Sequence, residues 1–129
     1  MSENIDAQQE QEPATIFPNA GEFVHSWLLQ VINRKVNSKD MFWCAQWWKH
    51  PEAVCRLTAL WLSWEAARED PTGLASWWRD QADYHMSVLM SSTGPFRYCE
   101  DGEHNTARYA REAFPIQDPP AGIFDLLLG

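Results

Sequence analysis

Five side chains have the chemistry of metal ligands: Cys44, His50, His85, Cys99 and His104. Cys44 and His50 stand six residues apart in the run WCAQWWKHP, among three tryptophans and directly before Pro51. Cys99 and His104 form a C-x4-H pair after the turn Gly94-Pro95, and His85 lies between the two pairs. Thiolate sulfur and imidazole nitrogen are typical zinc ligands, usually four in tetrahedral array. Neither spacing is a CxxC, and a C-x4-H pair also occurs by chance. The same residues therefore fit ordinary packing, with a core histidine bonded to a carbonyl and Cys44 and Cys99 acting as small apolar groups. Cys55 sits on the flank of its helix and reads as packing.

His85 carries the most weight in this reading. On a regular helix it shares a face with Trp78 and Leu89, which points its imidazole inward. A buried imidazole needs partners for both nitrogens. A metal on one and a carboxylate or carbonyl on the other would satisfy it. Asp80, Asp83 and His85 form D-x2-D-x-H on the same helix, but residues two apart do not face each other, and these carboxylates read as a solvated face. The chain has no phosphate-binding glycine loop, no HExxH pair and no nucleophile elbow, and no catalytic residue is assigned.

Three helices are expected to position these groups. The first runs from about Glu22 to Asn33, with rows Phe23, Trp27, Val31 and Val24, Leu28 at spacings of four. Met41 to Lys49 allows a short helix ending at His50, because proline disfavours helical backbone in the residue before it. Pro51 then suits the first turn of a second helix reaching about Arg68, with Glu52 near its positive end. Val54, Leu57, Trp61 and Trp64 line its buried side. After the turn Glu69-Asp70-Pro71-Thr72-Gly73 a third helix runs from about Leu74 to Met90, with Leu74, Trp78, Ala82, His85 and Leu89 as its stripe. A short helix over Asn105 to Ala113 is possible in the pattern. The proline-rich segment FPIQDPPAGIFDLLLG reads as an extended strap whose Ile123, Phe124 and Leu126 pack on the body.

The chain has 129 residues, which suits one domain, and a formal net charge of -8 that belongs to its ends. Residues 1–20 are polar and acidic and read as a disordered leader, with a single domain over 21–129. Between Glu22 and Arg97, eight acids balance eight bases. That argues against a sequence-independent nucleic-acid binder, whose affinity comes from neutralising phosphates, although Arg34, Lys35 and Lys39 cluster. Three cysteines cannot all pair in disulfides. With no signal peptide and no long apolar run, a cytoplasmic chain without a membrane partner is expected. Eight tryptophans are unusual at this length. In the pairs Trp47-Trp48 and Trp77-Trp78, neighbouring side chains point about 100° apart on a helix, so one ring of each can face a protein partner.

The runs WCAQWWKHPEAVCRLTALWLSWE, ASWWRDQADYHMSVL, GPFRYC and PPAGIF resemble an uncharacterised family of actinobacteria and their plasmids and phages, catalogued as domain of unknown function number 4913. The resemblance covers roughly Phe23 to Phe124 and implies a small α-helical domain without a named activity. Its pattern includes Cys44, His50, His85, Cys99 and His104 and omits Cys55, which favours the zinc reading. Gln81 stands where family members often carry histidine, and Tyr84 where many carry proline. The resulting expectation is an all-α domain pinned by zinc on Cys44, His85, Cys99 and His104, with His50 in reserve. Four protein ligands close a site, so its role is stability. The functional expectation is a small protein-interaction module. The alternatives are a zinc-dependent hydrolase or nuclease, using His50 or His85 with Asp80, Asp83 or Glu52, and a DNA-associated regulator with a basic face of Arg34, Lys35, Lys39 and Lys49.

Overall fold

A computed structural model describes residues 14–37, 39–99, 104, 108–109 and 112–125. Three helices form the body. Helix α1 spans residues 20–31 as an α turn Ala20–Phe23, a π turn Val24–Leu28 and a last turn Leu29–Val31. Asn19 caps it, its side-chain oxygen accepting from the Glu22 N–H at 2.9 Å. Helix α2 is the continuous run Pro51–Ala67, with proline in the first turn and Glu52 beside the positive end. Helix α3 spans 73–90, with a π turn Trp78–Ala82 between Gly73–Trp77 and Asp83–Met90. The expected helix over 41–49 reduces to a single 3-10 turn, Trp47–Lys49.

The core is aromatic where the helices cross. Phe23 is fully buried and lies 5.4 Å from the Trp64 ring and 6.4 Å from Trp77. Trp27 of the first π turn meets Trp64 at 5.0 Å and Trp78 of the second at 5.9 Å. Within α3 the buried residues are Trp77, Ala82, Met86, Leu89 and Met90. The step from 77 to 82 is five residues, the repeat of a π turn. A regular helix would have kept Trp78, Ala82 and His85 in one row; the extra residue rotates the following turns and places Met86 in the core in place of His85.

Residues 14–19, expected to belong to a free leader, are tied to α2, while residues 1–13 lie outside the described residues. The buried carboxylate of Glu65 accepts the Ile16 and Phe17 N–H groups at 2.8 and 2.9 Å, and Arg68 donates to the Ala14 carbonyl. Phe17 packs on Phe23 and Trp64.

The C-terminal segment is irregular over 113–120 and ends in turns. Its expected packing through Ile123 and Phe124 is not found: they are 44% and 59% exposed, and Phe114 and Ile116 still more so. Proline lacks the N–H that regular structure uses, and the side chains over 112–125 stay exposed. Leu126 lies outside the described residues, as does most of the possible helix 105–113, of which Arg108 and Tyr109 are helical. Among the described residues no helix is long and apolar enough to cross a membrane.

Candidate metal centre

The segment before α2 and the segment after α3 meet at one end of the body. Asn37 adopts a left-handed conformation with φ of 60°, which asparagine tolerates better than most residues. Its N–H donates to the Met41 carbonyl at 2.7 Å, closing the loop. Phe42 then donates its N–H to the carbonyl of Met90, the last residue of α3, which carries the chain to Cys44. Trp47 donates its indole N–H to His25 Nε2 at 2.8 Å, so α1 holds the turn between Cys44 and His50. His50 is extended, as the residue before proline should be, and its carbonyl accepts the first helical bond from Val54.

On the other side, Gly94 lets the chain turn tightly off α3, since a Cβ there would stand 2.3 Å from the Val88 carbonyl oxygen. The fully buried Phe96 ring then packs between Trp43 and His50, each 5.0 Å away. A turn from the Phe96 carbonyl to the Cys99 N–H directs Cys99 inward.

These two segments bring Cys44, His50, Cys99 and His104 together, with one ligand atom from each within 4.8 Å of all the others. Cys44 Sγ lies 3.6 Å from His104 Nδ1, and Cys99 Sγ 3.5 Å from His50 Nε2. With the usual zinc bond lengths, the sulfur–nitrogen edge of a tetrahedron is about 3.5 Å. The two imidazole nitrogens are 2.9 Å apart, shorter than the tetrahedral edge of about 3.3 Å; a cation between them would ease them apart.

The electrostatics suit a cation. Burial, reinforced by the charges of His104 and Arg97, lowers His50 to about 4, so its imidazole is neutral at pH 7. Burial pushes the Cys44 thiol up to about 11, aided by Cys99 and opposed by the Gln46 backbone. A metal would take the place of that thiol proton. Cys99 Sγ has a further neighbour in the Tyr109 hydroxyl at 3.4 Å, and burial and this contact both raise the phenol well above its ordinary range. The group is a Cys2His2 cluster capable of coordinating a metal ion, with two thiols, two imidazoles and no carboxylate.

Of the five candidates read from the sequence, four lie here and one lies elsewhere. His85, preferred over His50 as a ligand, lies outside the cluster. It is half-buried on α3 with Nδ1 2.9 Å from the Arg56 guanidinium, and burial and that cation lower its pKa. A nitrogen facing a guanidinium is spent on it. His50 supplies the fourth atom of the cluster. The acids considered for hydrolysis are engaged or exposed: Glu52 pairs with Arg56, Asp80 with Arg79, and Asp83 faces solvent. Sequence reasoning gave no role to His25 and Tyr109, which contact the ligand segments, and met Phe96 only within the run GPFRYC.

A cleft of about 270 Å³ opens beside the cluster, with Lys49, Glu52, Arg97 and Tyr109 on its walls next to His50 and His104.

Residues 17–120 match the family described as domain of unknown function (DUF4913). The chain belongs to this family. No curated protein and no solved structure matches the chain. The family assignment covers α1 to α3 and both ligand pairs, so this DUF4913 domain is the unit that holds the cluster.

Proposed function

We propose that this DUF4913 domain is a small protein-interaction module whose ends are joined by one structural zinc ion on Cys44, His50, Cys99 and His104. The observation that carries it is the convergence of these four ligand atoms within 4.8 Å. Four protein ligands fill a tetrahedral zinc, leave no position for an activated water, and make metal binding part of folding. The exposed rings fit the interaction role. Trp48 is 52% exposed beside the buried Trp47, and Phe114 and Phe124 stand free on the C-terminal segment, which we read as a partner-binding strap. An actinobacterial, plasmid or phage origin is the setting that the family resemblance supports, and a cytoplasmic, reducing location fits thiols kept for metal.

A second reading, zinc-dependent hydrolysis, draws on the cleft beside His50 and His104 with Glu52 on its wall. It would need one of the four ligands to yield to water. DNA binding has weaker support: Arg34, Lys35, Lys39 and Lys49 are all exposed, but the chain carries a net charge of -8.

Native mass spectrometry with elemental analysis on unchelated protein tests the proposal. One zinc per chain is expected, lost in Cys99→Ala and His50→Ala and kept in His85→Ala. A metal-free wild type would refute it. Zinc retained in His50→Ala but lost in His85→Ala would refute the ligand set.

A further inference from the structure

The Tyr109 hydroxyl is bonded in a way that fixes its proton. Its oxygen accepts the Tyr98 backbone N–H at 3.1 Å, and its other near partner is Cys99 Sγ at 3.4 Å. A metal-bound thiolate carries no proton, so the phenol O–H is the only hydrogen available between these two atoms. The ring itself is held from outside. The Arg97 guanidinium lies 4.8 Å from the Tyr109 centroid and 4.9 Å from that of Tyr98. Glu112 anchors Arg97 at 3.2 Å and accepts the Tyr98 hydroxyl. A cation over the ring draws electron density from the phenol and makes its O–H a stronger donor. Arg97 and Tyr109 also wall the cleft that opens onto His50 and His104, so small reagents in solvent approach the cluster past them.

We propose that Tyr109 is a positioning residue for the metal centre: it donates a hydrogen bond to the Cys99 thiolate, and Arg97 and Glu112 hold it there as a latch controlling metal release and thiolate reactivity. This rests on the zinc reading above. A thiolate that accepts a hydrogen bond has less electron density to offer an electrophile or a competing proton. Partners of this kind typically change metal affinity by about 10–100-fold. Cys44 has a different set of neighbours, the Gln46 backbone N–H, His104 Nδ1 and Cys99, and Tyr109 is not among them. Removing the phenol should therefore change the reactivity of Cys99 and leave that of Cys44 as it is.

The test compares zinc-loaded wild-type protein with Tyr109→Phe. Zinc content is read first by native mass spectrometry, release is followed with the chromogenic chelator 4-(2-pyridylazo)resorcinol, and alkylation by iodoacetamide is mapped by peptide mass spectrometry. Tyr109→Phe should keep one zinc and its helical circular dichroism, release zinc about ten-fold faster or more, and alkylate faster at Cys99 but not at Cys44. Unchanged rates overturn the proposal. Equal acceleration at both cysteines also overturns it, because a merely loosened fold would expose both. If Tyr109→Phe does not fold, Glu112→Gln keeps the phenol and releases Arg97; it should show a smaller acceleration confined to Cys99, and wild-type rates there refute the latch. A zinc-free wild type is a separate outcome, which overturns the metal reading and this inference with it.

Discussion

Glu65 offers the sharpest test of how the fold is held. Its carboxylate is 7% exposed and accepts four hydrogen bonds, from Ile16 N, Phe17 N, Trp61 Nε1 and Arg68 Nε, at 2.8 to 3.1 Å. Oε1 serves Ile16 and Arg68; Oε2 serves Phe17 and Trp61. In Glu65→Gln one oxygen remains, and the new amide N–H2 faces two donors. Two buried donors left unsatisfied cost about 1–3 kcal/mol each. Since Arg68 is 24% exposed and water reaches that edge, we expect a loss of about 2–4 kcal/mol, a large share of a total of about 5–15 kcal/mol. For a chain of this length that lowers Tm by about 10 °C.

The pH dependence supplies an internal check. Burial alone would raise the Glu65 carboxyl, but its hydrogen bonds override burial and hold it below the usual value. A carboxylate depressed in the folded state contributes fully above its unfolded pKa, near about 4.3, and loses that contribution as pH falls through the folded value. Glutamine does not titrate. Urea denaturation should therefore show the wild-type advantage intact at pH 7 and shrinking below about pH 4. A variant within about 0.5 kcal/mol of wild type at pH 7, or a gap independent of pH, would refute the reasoning.

Other consequences are equally direct. Phe23→Ala removes a fully buried ring that touches Phe17, Trp27, Trp64 and Trp77; chemical denaturation should show a loss of about 3–5 kcal/mol. Trp48→Ser removes a half-exposed ring and should leave stability within about 0.5 kcal/mol, while the buried Trp47→Ser should cost several times more. Because the Cys44 thiol is pushed up to about 11, zinc should displace its proton. Calorimetry in buffers of different ionisation enthalpy should show proton release, and affinity should rise with pH between 6 and 8. Gly94→Ala should weaken both folding and metal retention, read by thermal melts with and without chelator, because its Cβ would meet the Val88 carbonyl.

The helical frame was legible because its signals are local. Pro51 with Glu52 marks the start of α2, Pro71-Thr72-Gly73 marks the gap before α3, and the apolar rows fall at helical spacing. The residue types of the cluster were legible too: Cys44, Cys99 and His104 lie together, joined by His50 and not by His85. What failed was the phase of α3. The π turn Trp78–Ala82 adds one residue to the repeat, and no single residue type announces it; Trp77 and Trp78 at its start both contact Trp27, a partner 50 or more residues away. From that shift follow Met86 inside and His85 on Arg56, while His50, at the start of α2, completes the cluster. Glu65 was hidden for another reason. An acid on a helix reads as a break in the apolar face until the N–H groups of Ile16 and Phe17, 49 and 48 residues away, are seen to satisfy it.

The two ligand pairs also constrain the order in which the chain can be assembled. Cys99 and His50 are separated by 49 residues, and His104 and Cys44 by 60, so a bound metal closes two nested loops with α2 and α3 inside both. Closing a loop of about 50 residues costs an open chain about 4 kcal/mol of entropy. The two helices within form from neighbouring residues and reduce that span before the ends must meet. On the zinc proposal, a metal arriving late would find the search largely done and would act as a removable cross-link. Withdrawing it would leave the three-helix body with the two cluster segments untied, rather than an unfolded chain.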